Sequence, residues 1–413
     1  MNVLQVNYTD LPGRRFNGYD LLSDLRTRGV RGRQAVLSKT CVNADLVSLW
    51  DDAQDGRLQE ALFNAEARLS MDNLLYPWGR VLASTPDFRG ADVVHFHLVH
   101  GRMISLFDLP WLCGLKPSVW TLHDAWALTG HCIQPGTCTG WLDGCTDCPS
   151  PEADVPLRED RADRMWRIKR RVFAEADLDI VVASEFMLDM VSRSPITEHV
   201  SRVHLIPFGI DVTAFRDDLG RSASRKLLGI GEDDFVVFFR AAPSPDKGLA
   251  YIKEALGSRP PSRPTTLLTV DRRGLVGELA LDYRIVDLGW VEDQSLYPRL
   301  YSACDVFLMP STAEGFGLMA LEAMAAGRPV VCFEGTALPS VTHAPECGIA
   351  VPSRNAGALR DVVDRLAGSP EEAEGRGRLG REIAVEDFSQ ERYLDALTSL
   401  YTSVLTRSHQ KRT

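Results

Sequence analysis

Two glutamates, Glu314 and Glu322, stand eight positions apart in STAEGFGLMALE, with Gly315 and Gly317 just after the first. The stretch follows the apolar run DVFLMP and opens the helical pattern LMALEAMAA, which stops at Gly327, a common C-terminal glycine signal. It reads as strand, loop, helix. The two glycines, lacking a β-carbon, let the backbone come close to a ligand. N–H groups unpaired at a helix start make an anion site suited to phosphate. Carboxylates there repel phosphate unless they point elsewhere, and sugar or ribose hydroxyls suit them, since a carboxylate accepts two at once. The pattern therefore fits a sugar nucleotide, with phosphates on the backbone and one glutamate on each sugar. A capped helix with two surface glutamates satisfies the same residues.

Other reactive residues lie at strand ends. FFRAAPSPDKGL puts Arg240 just after a strand and Lys247 at the end of a Pro-rich loop. Two fixed cations beside a departing diphosphate would offset charge that grows in the transition state; a solvated loop pair is the alternative. WTLHDAW sets His123 and Asp124 at the carboxyl end of a strand, where such a dipeptide also serves packing and capping. In VVHFHLVH, His95 and His97 share one face, because strand side chains alternate with period two. No third metal ligand accompanies them, so a metal is not expected there. Four of the nine cysteines, Cys132, Cys138, Cys145 and Cys148, crowd into HCIQPGTCTGWLDGCTDCP. Four thiolates can close a structural, non-catalytic tetrahedral zinc site, with free thiols as the alternative.

The elements that must hold these residues read as two series. VLQVN, ADVVHFH, PSVWTLH, LDIVVAS and RVHLIP form the first run of strands. FVVFFRA, TTLLTVD, RIVDLGW, DVFLMP, RPVVCF and GIAVP form the second. Helical stretches separate them, which argues for parallel sheets in an α/β protein. The expected fold is two facing, doubly wound Rossmann-like domains with ligands at the strands' carboxyl ends. Expected boundaries are 1–207 for a first Rossmann-like domain with its Cys-rich segment 131–149, 208–390 for a second, and 391–413 for a C-terminal helix packing back on the first domain.

Forty-six basic against 56 acidic residues leave a net charge of −10, so a general nucleic-acid surface is excluded. No apolar run reaches the ~18–20 residues of a membrane span. The amino terminus, MNVLQVNYTD, reads as a buried strand rather than a signal peptide, which places the protein in the cytoplasm, where disulfides are disfavoured. For peripheral membrane contact the sole candidate is RADRMWRIKRRVF, residues 161–173, whose charges spread around the helix like a solvated face.

YSACDVFLMPSTAEGFGLMALEAMAAGRPVV resembles the donor-site signature of GT-B retaining glycosyltransferases of family 4, the glycosyl transferases group 1. RFNGYDLL, ADVVHFH, WTLHDAWALTGHC, IPFGID, FRAAPSPDKGL, LGWVEDQSLYPRLYSACDVF and GTALPSVTHAPECGIAVP follow in the family's order, and the likeness is greatest to a branch of bacterial polysaccharide-building enzymes. The resemblance implies transfer of a hexose-type sugar from a UDP- or GDP-sugar to a hydroxyl acceptor, with no cofactor required for catalysis. It gives Glu314 a donor-sugar hydroxyl and Glu322 the ribose. The amides from Gly315 through Phe316, Gly317 and Leu318 to Met319 receive the diphosphate, and Arg240 and Lys247 face its growing charge. By the same resemblance residues 1–207 form the acceptor-binding domain and 208–390 the donor-binding domain, Gly18 approaches the donor phosphates, His123 lies near the reacting carbon, and His97 and Asp124 are expected to line the acceptor pocket. Asp177–Asp179, DLD, resembles the metal triplet of a different glycosyltransferase architecture and is set aside as coincidence. Two departures stand out: Phe208 where relatives have Asn, and LLTVDRRGL in place of a glycine-rich turn. The acceptor is a saccharide or lipid-linked glycan, or a small natural product such as an aminocyclitol. A sugar-nucleotide epimerase, or a non-catalytic sugar-nucleotide-binding protein, are the rival readings.

Overall fold

The computed structural model describes residues 1–10, 20–50, 52–150, 157–215 and 220–412. The chain divides into two compact units, Met1–Phe208 together with Tyr393–Thr413, and Gly209–Arg392.

Seven parallel strands build the first unit: β1 (Asn2–Thr9), β2 (Arg31–Ser38), β3 (Leu46–Ser48), β4 (Val93–Phe96), β5 (Ser118–Thr121), β6 (Leu178–Val182) and β7 (Val203–Leu205). Their order is β3-β2-β1-β4-β5-β6-β7. Every residue of β4, β5 and β6 is buried, which explains why these segments read as unbroken apolar runs. Sequence patterning anticipates five of these strands. It misses β2, where Arg31, Arg33 and Gln34 interrupt the apolar signal, and the three-residue β3.

The helix Ala162–Glu175 differs from its sequence reading. It is strongly amphipathic, burying Met165, Trp166, Val172 and Phe173, and Lys169 lies within that buried stripe. The ammonium is fully enclosed because it donates to the carbonyls of Trp126 (2.5 Å), Thr129 (3.0 Å) and Gly130 (3.2 Å) and sits over the Trp126 ring at 3.8 Å. DLD has a structural use too: Asp179 accepts from Arg202 (2.9 Å), His204 (2.8 Å) and Arg407 (2.6 Å), and Asp177 pairs with Arg202. This ties β6 and β7 to the C-terminal helix.

The second unit carries β8 (Phe235–Ala241), β9 (Thr265–Asp271), β10 (Arg284–Asp287), β11 (Val306–Met309), β12 (Val330–Phe333) and β13 (Ile349–Val351) in the parallel order β10-β9-β8-β11-β12-β13. In each sheet the chain builds outward from one strand and then returns to that strand's other side. Strand order thus reverses between β1 and β4 and between β8 and β11. Loops at the carboxyl ends of such strands splay apart and leave room for a ligand. Among the described residues no helix is long and apolar enough to cross a membrane.

Candidate functional site

In the second unit the reversal point gathers the loops after β8 and β11. Gly248 follows Lys247 with φ +75°, and a β-carbon there would lie 1.9 Å from the Pro310 carbonyl oxygen. Only glycine lets the two loops come this close. The Thr312 amide then donates to the Asp246 carbonyl (2.8 Å), and Lys247 Nζ reaches Glu314 Oε2 at 3.1 Å. Burial disfavours the Lys247 charge, but the carboxylates of Glu314 and Asp246 outweigh it and hold the ammonium above the usual lysine range. A permanent cation and a carboxylate therefore share this loop pair.

Glu314 lies just before the helix Leu318–Ala325, with its carbonyl accepting from Ala337 N–H (3.0 Å). The turn into the helix is closed by Gly317, at φ +101°, where a β-carbon would meet Leu338 Cδ2 at 2.4 Å. Gly315, Phe316 and Gly317 are buried, while Leu318 and Met319 are partly exposed. Helix geometry leaves the first-turn amides of Leu318 and Met319 without intrahelical acceptors, and they lie one turn from Glu322. Glu322 Oε2 accepts from the buried Tyr301 hydroxyl (3.0 Å). Burial first, then the Glu322 carboxylate, pushes the Tyr301 hydroxyl well above its usual value, so it stays a donor.

Arg240 belongs to β8 itself rather than following it, and its Nε donates to Asp271 Oδ2 at 2.7 Å. Asp271, in LLTVDRRGL, holds φ +93°, a backbone region that favours glycine. Arg240, Asp271 and Glu322 all act electrostatically on the Tyr297 hydroxyl, which burial and then Glu322 push upward. Thus Lys247 and Glu314 are directly bonded, while Arg240 and Glu322 are related through the surroundings of Tyr297. Tyr301, Tyr297 and Asp271 escape a sequence reading because the tyrosines fall in a helical pattern that also fits core packing.

In the first unit, His123 and Asp124 follow β5. Asp124 accepts from the Trp126 amide (2.9 Å), and its Oδ2 lies 3.2 Å from His100 Nε2. Burial opposes its charge, yet His100 and that amide hold the carboxyl below the usual range. His123 stacks on Phe208, with centroids 5.4 Å apart, and its Nε2 is 3.0 Å from His97 Nδ1. His97 does not line a pocket as expected: it is 1% exposed, and its Nε2 bonds Gln5 Oε1 at 2.6 Å. It stands behind His123 instead. Gly18 lies outside the described residues.

None of the nine cysteines is joined in a disulfide. Gly130 N–H donates to Cys145 Sγ (3.2 Å), and His131 Nε2 lies 3.2 Å from Cys148 Sγ and 3.8 Å from Cys132 Sγ. Burial pushes the Cys145 thiol up to about 11. Among the described residues no three His, Cys, Asp or Glu side chains converge as a metal site requires. The Gly130 amide thus engages Cys145, and His131 lies beside Cys148 and Cys132; a structural zinc on the four cysteines stays an expectation drawn from their spacing.

Residues 234–369, within the second unit, match the family described as glycosyl transferases group 1. Among curated proteins the chain is 27% identical over 277 residues to an MMP α-(1→4)-mannosyltransferase of Mycolicibacterium hassiacum, covering 61% of this chain and 64% of that one. It is 28% identical over 334 residues to a D-inositol 3-phosphate glycosyltransferase of Saccharomonospora viridis, covering 75% and 71%. The chain thus spans just under two thirds of the first of these relatives. Among solved structures it resembles a sucrose-phosphate synthase of Thermosynechococcus elongatus, at TM-score 0.72 and 19% identity, covering 98% of this chain and 100% of the other. Anabaena HepE in complex with UDP-glucose aligns at TM-score 0.64 and 16% identity, with the same coverages of 98% and 100%. The fold is that of GT-B glycosyltransferases.

Proposed function

We propose that this chain, which belongs to glycosyl transferases group 1, moves a hexose-type sugar from a UDP- or GDP-sugar to a hydroxyl acceptor with retention of anomeric configuration. One observation carries the reading: the Lys247–Glu314 pair, a cation and a hydroxyl acceptor placed together at the reversal point of the second sheet, beside a helix start. The donor diphosphate lies on the amides around Leu318 and Met319, and Lys247 and Arg240 take up the charge it gains on leaving. Glu314 accepts a hydroxyl of the transferred sugar. Glu322, held by Tyr301, accepts from the ribose. As the bond from anomeric carbon to phosphate oxygen breaks, the sugar gains oxocarbenium character. The acceptor oxygen attacks from the departing face and passes its proton to the leaving phosphate. His123 serves the transferred sugar, and Asp124, a carboxylate held ionised by His100, accepts from an acceptor hydroxyl.

The acceptor is a saccharide or cyclitol hydroxyl. This choice is supported by relatives named for mannosyl transfer and for inositol 3-phosphate. Nine cysteines outside any disulfide suit a reducing, cytoplasmic setting. The test is a panel of UDP- and GDP-hexoses offered to the full chain, read by thermal shift and by release of nucleoside diphosphate. One donor is expected to raise the melting temperature and to yield diphosphate when mannosides or inositol phosphates are added. Silence across the whole panel in both readouts would overturn the proposal.

A further inference from the structure

Behind His123 runs a buried chain of hydrogen bonds that the proposed chemistry does not use. His123 Nε2 meets His97 Nδ1 at 3.0 Å, His97 Nε2 meets Gln5 Oε1 at 2.6 Å, and Gln5 Nε2 donates to the Tyr401 hydroxyl at 3.2 Å. Tyr401 Oη lies 2.6 Å from His95 Nδ1, and His95 Nε2 lies 2.7 Å from Thr121 Oγ1. Gln5, His95, His97, Thr121 and Tyr401 are each at most 1% exposed, so water supplies no substitute partners. Tyr401 comes from the C-terminal helix Gln390–Arg412, 306 residues from His95 in sequence.

Donor and acceptor roles follow from the amide of Gln5. Its oxygen can only accept, so His97 must carry a proton on Nε2. Burial drives the His97 pKa well below the usual value, so the ring is neutral and its Nδ1 is bare. A bare Nδ1 needs a donor, and His123 Nε2–H, 3.0 Å away, supplies it. On the other side, the Gln5 amide N–H fills a lone pair of Tyr401, whose one proton goes to His95 Nδ1. His95, which burial and then His123 bring down to about 3, is neutral and donates from Nε2 to Thr121. Every bond in the chain is thereby oriented by one side chain.

We propose that Gln5, His97 and Tyr401 are positioning residues that fix His123 as its Nε2–H tautomer, with its Nδ1 an acceptor. That His123 meets substrate rests on the function proposed above; the tautomer does not. A 180° flip of the Gln5 amide would reverse every bond and put the His123 proton on Nδ1, so the proton's position is the test.

The experiment is two-bond 1H–15N correlation on the full chain with 15N-labelled histidine, at neutral pH, where protonated and bare ring nitrogens differ widely in shift. His123 and His97 are both expected to carry their proton on Nε2. Gln5→Met removes the oxygen, and the His123 Nε2–H form should fall to about half or less. Gln5→Glu, still offering an oxygen to His97, should retain the wild-type tautomer. In transfer assays Gln5→Met should lower kcat about tenfold while donor KM changes less than about twofold. A His123 proton on Nδ1 in the wild-type chain overturns the proposal, and so does a Gln5→Met chain with unchanged tautomers. If no sugar nucleotide is turned over, the function proposed above falls, and the nitrogen shifts still decide the tautomer.

Discussion

Lys247 pairs with Glu314 while that carboxylate waits for a hydroxyl, so donor binding must share the ammonium between Glu314 and a diphosphate. The pair is partly exposed, at 29% and 19%, and such pairs add little to stability. Lys247→Ala should therefore leave the melting temperature nearly unchanged, while kcat falls about 100-fold or more, because charge on the leaving group goes unmet. Stopped assays of diphosphate release alongside calorimetry separate the two effects. Tyr301→Phe should act differently: losing the 3.0 Å bond to Glu322 costs about 1 kcal/mol, a rise of about fivefold in donor KM with kcat kept. Lys247, Glu314 and Glu322 can be picked out from the sequence because their types and spacing are unusual beside glycines. Tyr301 cannot, because in YPRLYSACD it looks like any aromatic on a helix face that meets the core. Nor can the place of His97, since period-two alternation says which face a side chain takes, and not what covers that face.

At the scale of elements, the site depends on how closely two loops approach. Gly248→Ala sets a methyl 1.9 Å from the Pro310 carbonyl oxygen at φ +75°, so the β8 and β11 loops must part. The expected outcome is a loss of at least about 1 kcal/mol in unfolding free energy, with a fall in kcat from the displaced Lys247, measured by urea titration and initial rates. The helix Ala162–Glu175 teaches the opposite lesson. Its RIKRR run looks like a solvated face, because a lysine counts as polar in any periodicity. What buries Lys169 is three carbonyls from the loop after β5, and no pattern within the helix announces them. Lys169→Met leaves those acceptors without their donor, and unfolding free energy should drop about 2–4 kcal/mol by urea titration. The strands were more legible. Runs buried on both faces stand out, and of the thirteen only β2 and β3 were hidden, one by its arginines and one by its shortness.

On the scale of the whole molecule, alternation of strands and helices reveals an α/β chain of two sheets, but not the strand order that makes the reversal points. Those depend on which strand the returning chain joins, and so on packing across the sheet. The C-terminal helix shows the same limit: leucines at helical spacing announce it, whereas Tyr401 and Arg407 become meaningful only beside His95 and Asp179. Asp179 predicts a pH dependence. Burial raises its pKa, but His204, Arg202 and Arg407 together bring it below the ordinary carboxylate value of 3.8. The folded state then binds this proton less readily than the unfolded chain. The stabilisation is complete above the ordinary carboxylate range and is lost as pH falls through the lowered folded value. Melting temperature should decline through that acid range, and Asp179→Asn should flatten this part of the decline while costing about 3 kcal/mol at neutral pH. The central claim, retaining transfer from a nucleotide sugar, is met most directly by following the anomeric proton. The full chain, an α-linked UDP- or GDP-hexose and a hydroxyl acceptor are mixed, and the first glycoside formed is read by 1H NMR. We predict the α-glycoside with release of nucleoside diphosphate; a β-glycoside as first product would contradict the account.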